Sequence, residues 1–109
     1  MKKSEIKITV ELDENHVPEK IFWDADDKQL EGMQETKSMS LAMWDQKLMN
    51  TMRIDLWTKD MPVEEMKRFY IDCLGGLSQS ILNATGDEFM SSKLNELCED
   101  FVTHVKNGG

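Results

Sequence analysis

The residue types that most often do chemistry are sparse in this chain. The two histidines, His16 and His104, fall in a predicted turn and at a predicted helix end, without a Ser or Cys at a spacing typical of nucleophilic catalysis. Cys73 and Cys98 lie within helical patterns, as small core side chains with reduced thiols would. Because neither CxxC nor HExxH occurs, we expect no metal site, no cofactor and no enzymatic activity.

One acidic segment has part of the spacing of a calcium-binding loop. Asp24, Asp26 and Glu35 would occupy its first, third and last ligand positions. However, Gln29 stands where the sharp turn requires glycine, and Lys28 stands at a ligand position. We therefore expect a solvated acidic turn here.

Charge and length limit the kinds of partner. The chain has 109 residues, with 13 Lys plus Arg against 21 Asp plus Glu and a net charge of −8. This length fits a single domain over residues 1–109, and the acidic balance disfavours nucleic acid and anionic membranes. No apolar run is long enough for a signal peptide or a membrane span, so we expect a cytoplasmic protein without direct membrane insertion.

The elements that position these residues begin with strands between about residues 5 and 58. Apolar and polar side chains alternate with a period of two over residues 5–12, which predicts a half-buried strand. Residues 38–44 and 51–58 place most of their apolar side chains at every second position, and residues 20–25 place Ile21 and Trp23 on one face and Phe22 on the other, which predicts three further strands. The last two strands fit a hairpin with a loop at 45–50, whereas residues 26–37 are polar and predict a loop or a short irregular helix. A helix over 33–48 is the alternative for the middle segment.

The second half has helical periodicity. Apolar residues recur at helical spacing over about residues 62–83 and 87–106, with Pro62 suited to a first turn and Asp87 to an N-cap. Gly75-Gly76 interrupts the first helix and predicts a kink or a close helix–sheet contact. The fold class predicted is α+β: an antiparallel four-stranded meander followed by two helices on one sheet face, forming a two-layer sandwich.

The opposite sheet face is the candidate binding surface. In this arrangement it would carry Phe22, Trp44 and Trp57 among charged side chains. Aromatic residues are more frequent at protein interaction sites than on the rest of the protein surface. We therefore expect these three residues to bind a protein partner, or to form a homo-oligomer through this face. There are two alternatives: the 26–37 loop covers this face, or the strand register is shifted by one residue, which would move these side chains to the other face.

Several segments of the chain resemble one family. SEIKITVELDEN, VPEKI with Trp23, RIDLWTKDMPVEEMKRF (53–69) and ATGD (84–87) are similar to the gliding motility-associated protein GldC family over nearly the whole chain. The resemblance implies an accessory protein of gliding motility in the Bacteroidetes, associated with the type IX secretion system. It implies no catalytic residue and no cofactor. Departures lie in 26–37 and at Gly75-Gly76.

Two functions of different classes follow. The first is a non-catalytic accessory protein that binds a motility or secretion component. The second is a small export chaperone similar to SecB, which would hold unfolded clients on an apolar sheet face. The second rests on the order of strands and helices alone, which is weak evidence for function.

Overall fold

The structure, a computed structural model, describes residues 1–29 and 31–109. Leu30, which falls in the predicted 26–37 loop, lies outside the described residues. The chain divides into a strand unit, Met1–Met61, and a helical unit, Pro62–Gly109. Within the described residues, the order of elements is five strands followed by two helices, so the predicted α+β class is confirmed.

Three strands form the first antiparallel sheet. They are β1 (Ile6–Leu12), β2 (Pro18–Ala25) and β3 (Gln34–Thr36), in the order β1-β2-β3. Val10 lies opposite Ile21, whose side chain is fully buried at 0% exposure. The first two predicted strands are therefore confirmed. Strand β2 contains the one large apolar side chain that is completely buried among the described residues.

A separate hairpin forms the second sheet. Strand β4 (Ser38–Asp45) pairs antiparallel with β5 (Asn50–Trp57), and Leu41 lies opposite Ile54. Asp45 accepts hydrogen bonds from two backbone amides of the connecting turn, which is typical of aspartate at a turn. The predicted hairpin is confirmed, and the helix considered for 33–48 does not form.

The predicted single four-stranded sheet is wrong, because an additional strand, β3, pairs with β2, whereas the predicted third strand, β4, pairs with β5 in a separate sheet. Thr36 Oγ1 donates a hydrogen bond to Ser38 O across Lys37, at 3.0 Å. The residues before Lys37 form β3, which pairs with β2. The residues after Lys37 form β4, which pairs with β5. The 26–37 loop prediction missed β3, since three residues are too few to show a period.

Two antiparallel helices form the helical unit. Helix α1 (Val63–Thr85) follows Pro62, and α2 (Glu88–Lys106) begins where the Asp87 carboxylate accepts the Met90 N–H at 3.0 Å. Both predicted helices are confirmed, and α1 runs through its glycine pair without the predicted interruption. In the described part of the chain, no helix combines the length and apolar character that a membrane crossing requires. That the helices cover one sheet face, and that 1–109 is one domain, stay predictions.

A pair of buried serines joins the two helices. Ser78 Oγ donates to Ser91 O at 2.9 Å, and Ser91 Oγ donates to Ser78 O at 3.1 Å. The side chains are 2% and 6% exposed. Each hydroxyl therefore has a partner where an unpaired polar group would be costly, and the short side chains let the backbones approach closely.

Candidate protein-binding surface

The residues considered for calcium make other contacts in the strand unit. Asp24 forms an ion pair with Lys28, and this hydrogen bond lowers the pKa of the Asp24 carboxyl despite partial burial. Asp26 Oδ2 accepts the Glu5 N–H at 2.9 Å. Across residues 1–29 and 31–109, no group of three or more His, Cys, Asp or Glu side chains is arranged to hold a metal ion.

The two predicted binding tryptophans of the hairpin share a face but lie at its opposite ends. Trp44 lies opposite Thr51 and Trp57 lies opposite Ser38, so six residue steps, or roughly 20 Å, separate them along the ladder. Trp44 is 59% exposed and Trp57 is 48% exposed. The predicted placement of both tryptophans on one hairpin face is thus confirmed, although the two rings form no common patch.

A charged cluster lies on the same face between these tryptophans. Arg53 Nη2 donates to Asp55 Oδ1 at 2.9 Å and to Ser40 Oγ at 2.8 Å. Ser40 Oγ donates in turn to Asp55 Oδ1 at 2.6 Å. Hydrogen bonds from Arg53 and then Ser40 hold the pKa of Asp55 below its ordinary value. The middle of this face is therefore a hydrogen-bonded ionic network.

Phe22, the third predicted binding residue, belongs to the other sheet. It lies in β2 opposite Thr9 and Glu35 and is half-buried. The structure therefore places it apart from the hairpin face that carries the tryptophans. The partner-binding role of Phe22, Trp44 and Trp57 stays a prediction.

The second face of the hairpin also carries exposed apolar side chains. Met43, Met52 and Ile54 are 51%, 48% and 45% exposed. Their alternation predicted that they point to one face, and they do. The sequence contained no signal that they would be as exposed as Trp57.

The backbone next to Trp57 is held in place by the segment that follows β5. Thr58, 2% exposed, donates its N–H to Lys37 O at 2.8 Å and its hydroxyl to Asp60 Oδ1 at 2.7 Å. Lys37 Nζ lies 3.1 Å from Asp60 Oδ2. The Thr58 hydroxyl, followed by the Lys37 ammonium, lowers the pKa of Asp60. These bonds tie the end of β5 to the bend between β3 and β4.

Lys59 connects the same segment to the turn between β1 and β2. Its Nζ lies 3.0 Å from Asp13 Oδ2 and 3.3 Å from Glu19 Oε1, and its N–H donates to Pro18 O at 3.1 Å. Hydrogen bonds to Asp13 and then Glu19 raise the pKa of Lys59. Sequence reasoning missed this contact, because Asp13 and Lys59 lie 46 residues apart and no local pattern relates them.

These contacts form one wall of a groove beside Trp57. The groove has a volume of about 340 Å³ and is lined by Val17, Pro18, Asp55, Leu56, Trp57 and Lys59. Four of these side chains are apolar, and one carboxylate and one ammonium lie with them. Such a groove can receive an apolar side chain of a partner and orient it with charges. We take it as the candidate site.

Comparison with known proteins gives one match. A family model described as gliding motility-associated protein GldC-like matches residues 18–107. The matched range contains the lining residues of the groove except Val17, the block RIDLWTKDMPVEEM and both helices. No curated protein and no solved structure matches the chain.

Proposed function

Because the chain belongs to the GldC-like family of gliding motility-associated proteins, we propose that it serves the gliding machinery as a non-catalytic accessory protein that binds another protein. The family is not a known enzyme family. The proposal places the protein in the cytoplasm, where its partner is a motility or secretion component. The expected link to the Bacteroidetes and to type IX secretion belongs to the same proposal.

The observation that carries this proposal is the half-exposed Trp57 beside an apolar groove. Tryptophan is among the residues that contribute most to protein–protein affinity, since it buries a large area with few rotatable bonds. Here the backbone that follows it is held by the buried Thr58 and the ionic contact of Asp60. A backbone segment fixed in this way loses little conformational freedom on binding.

Affinity purification from cells of a gliding bacterium tests the proposal. We expect the wild-type protein to enrich one or two defined motility or secretion proteins. The Trp44→Ser/Trp57→Ser variant should lose them while keeping the melting temperature of the parent, because both rings are exposed. The single variants then show which end of the hairpin face makes the contact.

Two outcomes would contradict the proposal. One is that no specific protein is enriched. The other is a broad set of exported proteins that an unfolded substrate displaces, as the SecB-like alternative requires. Neither the structure nor the comparisons support that alternative.

A further inference from the structure

The outer edge of β5 is a free sheet edge in the described part of the chain. Strand β5 pairs with β4 alone. The bond from Thr58 N–H to Lys37 O continues this ladder. Because hydrogen-bonded and non-hydrogen-bonded pairs alternate in an antiparallel ladder, the backbone N–H and C=O groups of Trp57 and Asp55 point away from β4, to the outer edge.

A backbone hydrogen bond already forms on this edge just beyond Trp57. The N–H of Lys59 points to the same edge as the N–H of Trp57, because the two residues are two positions apart. It donates to Pro18 O. The start of β2 therefore occupies the outer edge beyond Trp57, so that the free part of this edge ends there. The groove of Val17, Pro18 and Trp57 lies at this junction, next to backbone groups that an added strand could pair.

The groove leads to an acidic hollow. The hollow has a volume of about 540 Å³ and shares Lys59 with the groove; its other lining residues are Leu12, Asp13, Glu14, Asn15 and Glu19. Three carboxylates thus face one ammonium. Asp13 and Glu19 contact that ammonium, whereas Glu14 is an exposed acid beside them. The excess negative charge favours a cationic group next to the apolar groove.

We propose that the outer edge of β5 binds an extended segment of a partner protein, which adds as a strand, places one apolar side chain between Trp57 and Pro18 and directs a Lys or Arg to the hollow around Glu14. Main-chain pairing supplies affinity in this mode of recognition, and the side-chain pockets supply specificity. This inference rests on the proposed function, because it names the chemistry of the protein partner.

Synthetic peptides titrated into the ¹⁵N-labelled full chain test this inference. The probe is a Thr- and Val-rich peptide with a central Leu followed by two Lys. We expect it to shift the amide signals of Asp55 and Trp57. A peptide with Glu in place of both Lys should bind at least about tenfold more weakly, and a peptide with N-methylated backbone should not bind.

Matched variants locate the contact. Trp57→Ser should weaken binding of the Lys peptide about tenfold or more, whereas Trp44→Ser, on the same face at the far end of the hairpin, should not change it. Glu14→Lys leaves Trp57 unchanged and should reduce the preference, weakening binding of the Lys peptide by about threefold and strengthening binding of the Glu peptide.

The outcomes separate this inference from the proposed function. If purification from cells captures a partner through Trp57 but neither peptide binds, or charge makes no difference, the inference is overturned and the accessory role stands. If light scattering shows a dimer that Trp57→Ser dissociates, the edge binds a second copy, which also overturns the inference. If no partner is captured at all, the proposed function fails.

Discussion

At the scale of single residues, Asp13 organises the turn between β1 and β2. Its Oδ1 accepts the N–H groups of Asn15 at 2.8 Å and Val17 at 3.0 Å, while Oδ2 faces Lys59. The turn also contains His16 in the left-handed region, with φ 61°. The Val17 amide and then the Lys59 ammonium lower the pKa of Asp13. This one carboxylate thus shapes the turn and positions a wall of the groove.

We expect the stability that Asp13 contributes to depend on pH. A carboxyl whose pKa is lower in the folded state stabilises the fold above its ordinary value of 3.8, and this contribution is lost as the pH falls through the lower, folded-state value. Asp13→Ala should therefore lower the melting temperature at neutral pH, and the difference from wild type should shrink in acid. Thermal unfolding followed by circular dichroism across this range measures both.

The variant Asp13→Asn is the control, since its side-chain oxygen still accepts the turn amides but has no charge. We expect it to lie between wild type and Asp13→Ala at neutral pH. A difference between wild type and Asp13→Ala that stays constant from neutral to acid pH would contradict this account.

At the scale of elements, α1 continues through Gly75 and Gly76, and no contact within the helical unit explains why glycine stands at these positions. Among the residues that the structure describes, and apart from the adjacent residues and nearby backbone of its own helix, a Cβ atom added at Gly75 or Gly76 would meet no atom within 4 Å. Glycine inside a helix costs about 1 kcal/mol relative to alanine. The helix ends at Gly86, whose φ of 71° lies in the left-handed region and whose N–H donates to Leu82 O at 2.9 Å. The two kinds of glycine therefore have opposite effects on this helix.

We expect Gly75→Ala to raise the free energy of unfolding by up to about 1 kcal/mol, because alanine restricts the unfolded chain and favours the helix. Gly86→Ala is the matched control, with open space around it but an unfavourable φ. It should lower the free energy of unfolding by about 1 kcal/mol. Urea unfolding measures both, and a destabilising Gly75→Ala would show that another surface contacts the helix closely in solution.

At the scale of the whole molecule, the apolar side chains differ widely in burial. Ile21 is 0% exposed, whereas Ile54, also within a strand, is 45% exposed. Removing a fully buried isoleucine side chain costs both transfer energy and a cavity. Truncating an isoleucine that is nearly half exposed removes less buried apolar surface, so it lowers the free energy of unfolding by less.

We expect Ile21→Ala to lower the free energy of unfolding by about 2–5 kcal/mol and Ile54→Ala by clearly less. The two variants remove the same atoms, so each controls for the other, and urea unfolding compares them directly. Equal costs would contradict the prediction. They would also mean that the hairpin face of Ile54 is covered in solution, as the predicted two-layer sandwich requires.

The sequence by itself determined which segments are strands and helices and which side chains share a face. Alternation predicted the β4–β5 hairpin and the common face of Trp44 and Trp57, and the position of Asp87 predicted the N-cap of α2. These features depend on neighbours within a few residues, so local patterns contain them.

Only the tertiary structure decided the division into two sheets and the groove beside Trp57. The groove depends on Asp13 and Lys59, 46 residues apart, and the division depends on the bend at Lys37, whose carbonyl accepts the Thr58 N–H. Burial was undecided for the same reason: alternation places Ile21 and Ile54 on faces but does not show whether a face is covered. Such contacts join distant parts of the chain, and their energy depends on three-dimensional pairing that no local period records.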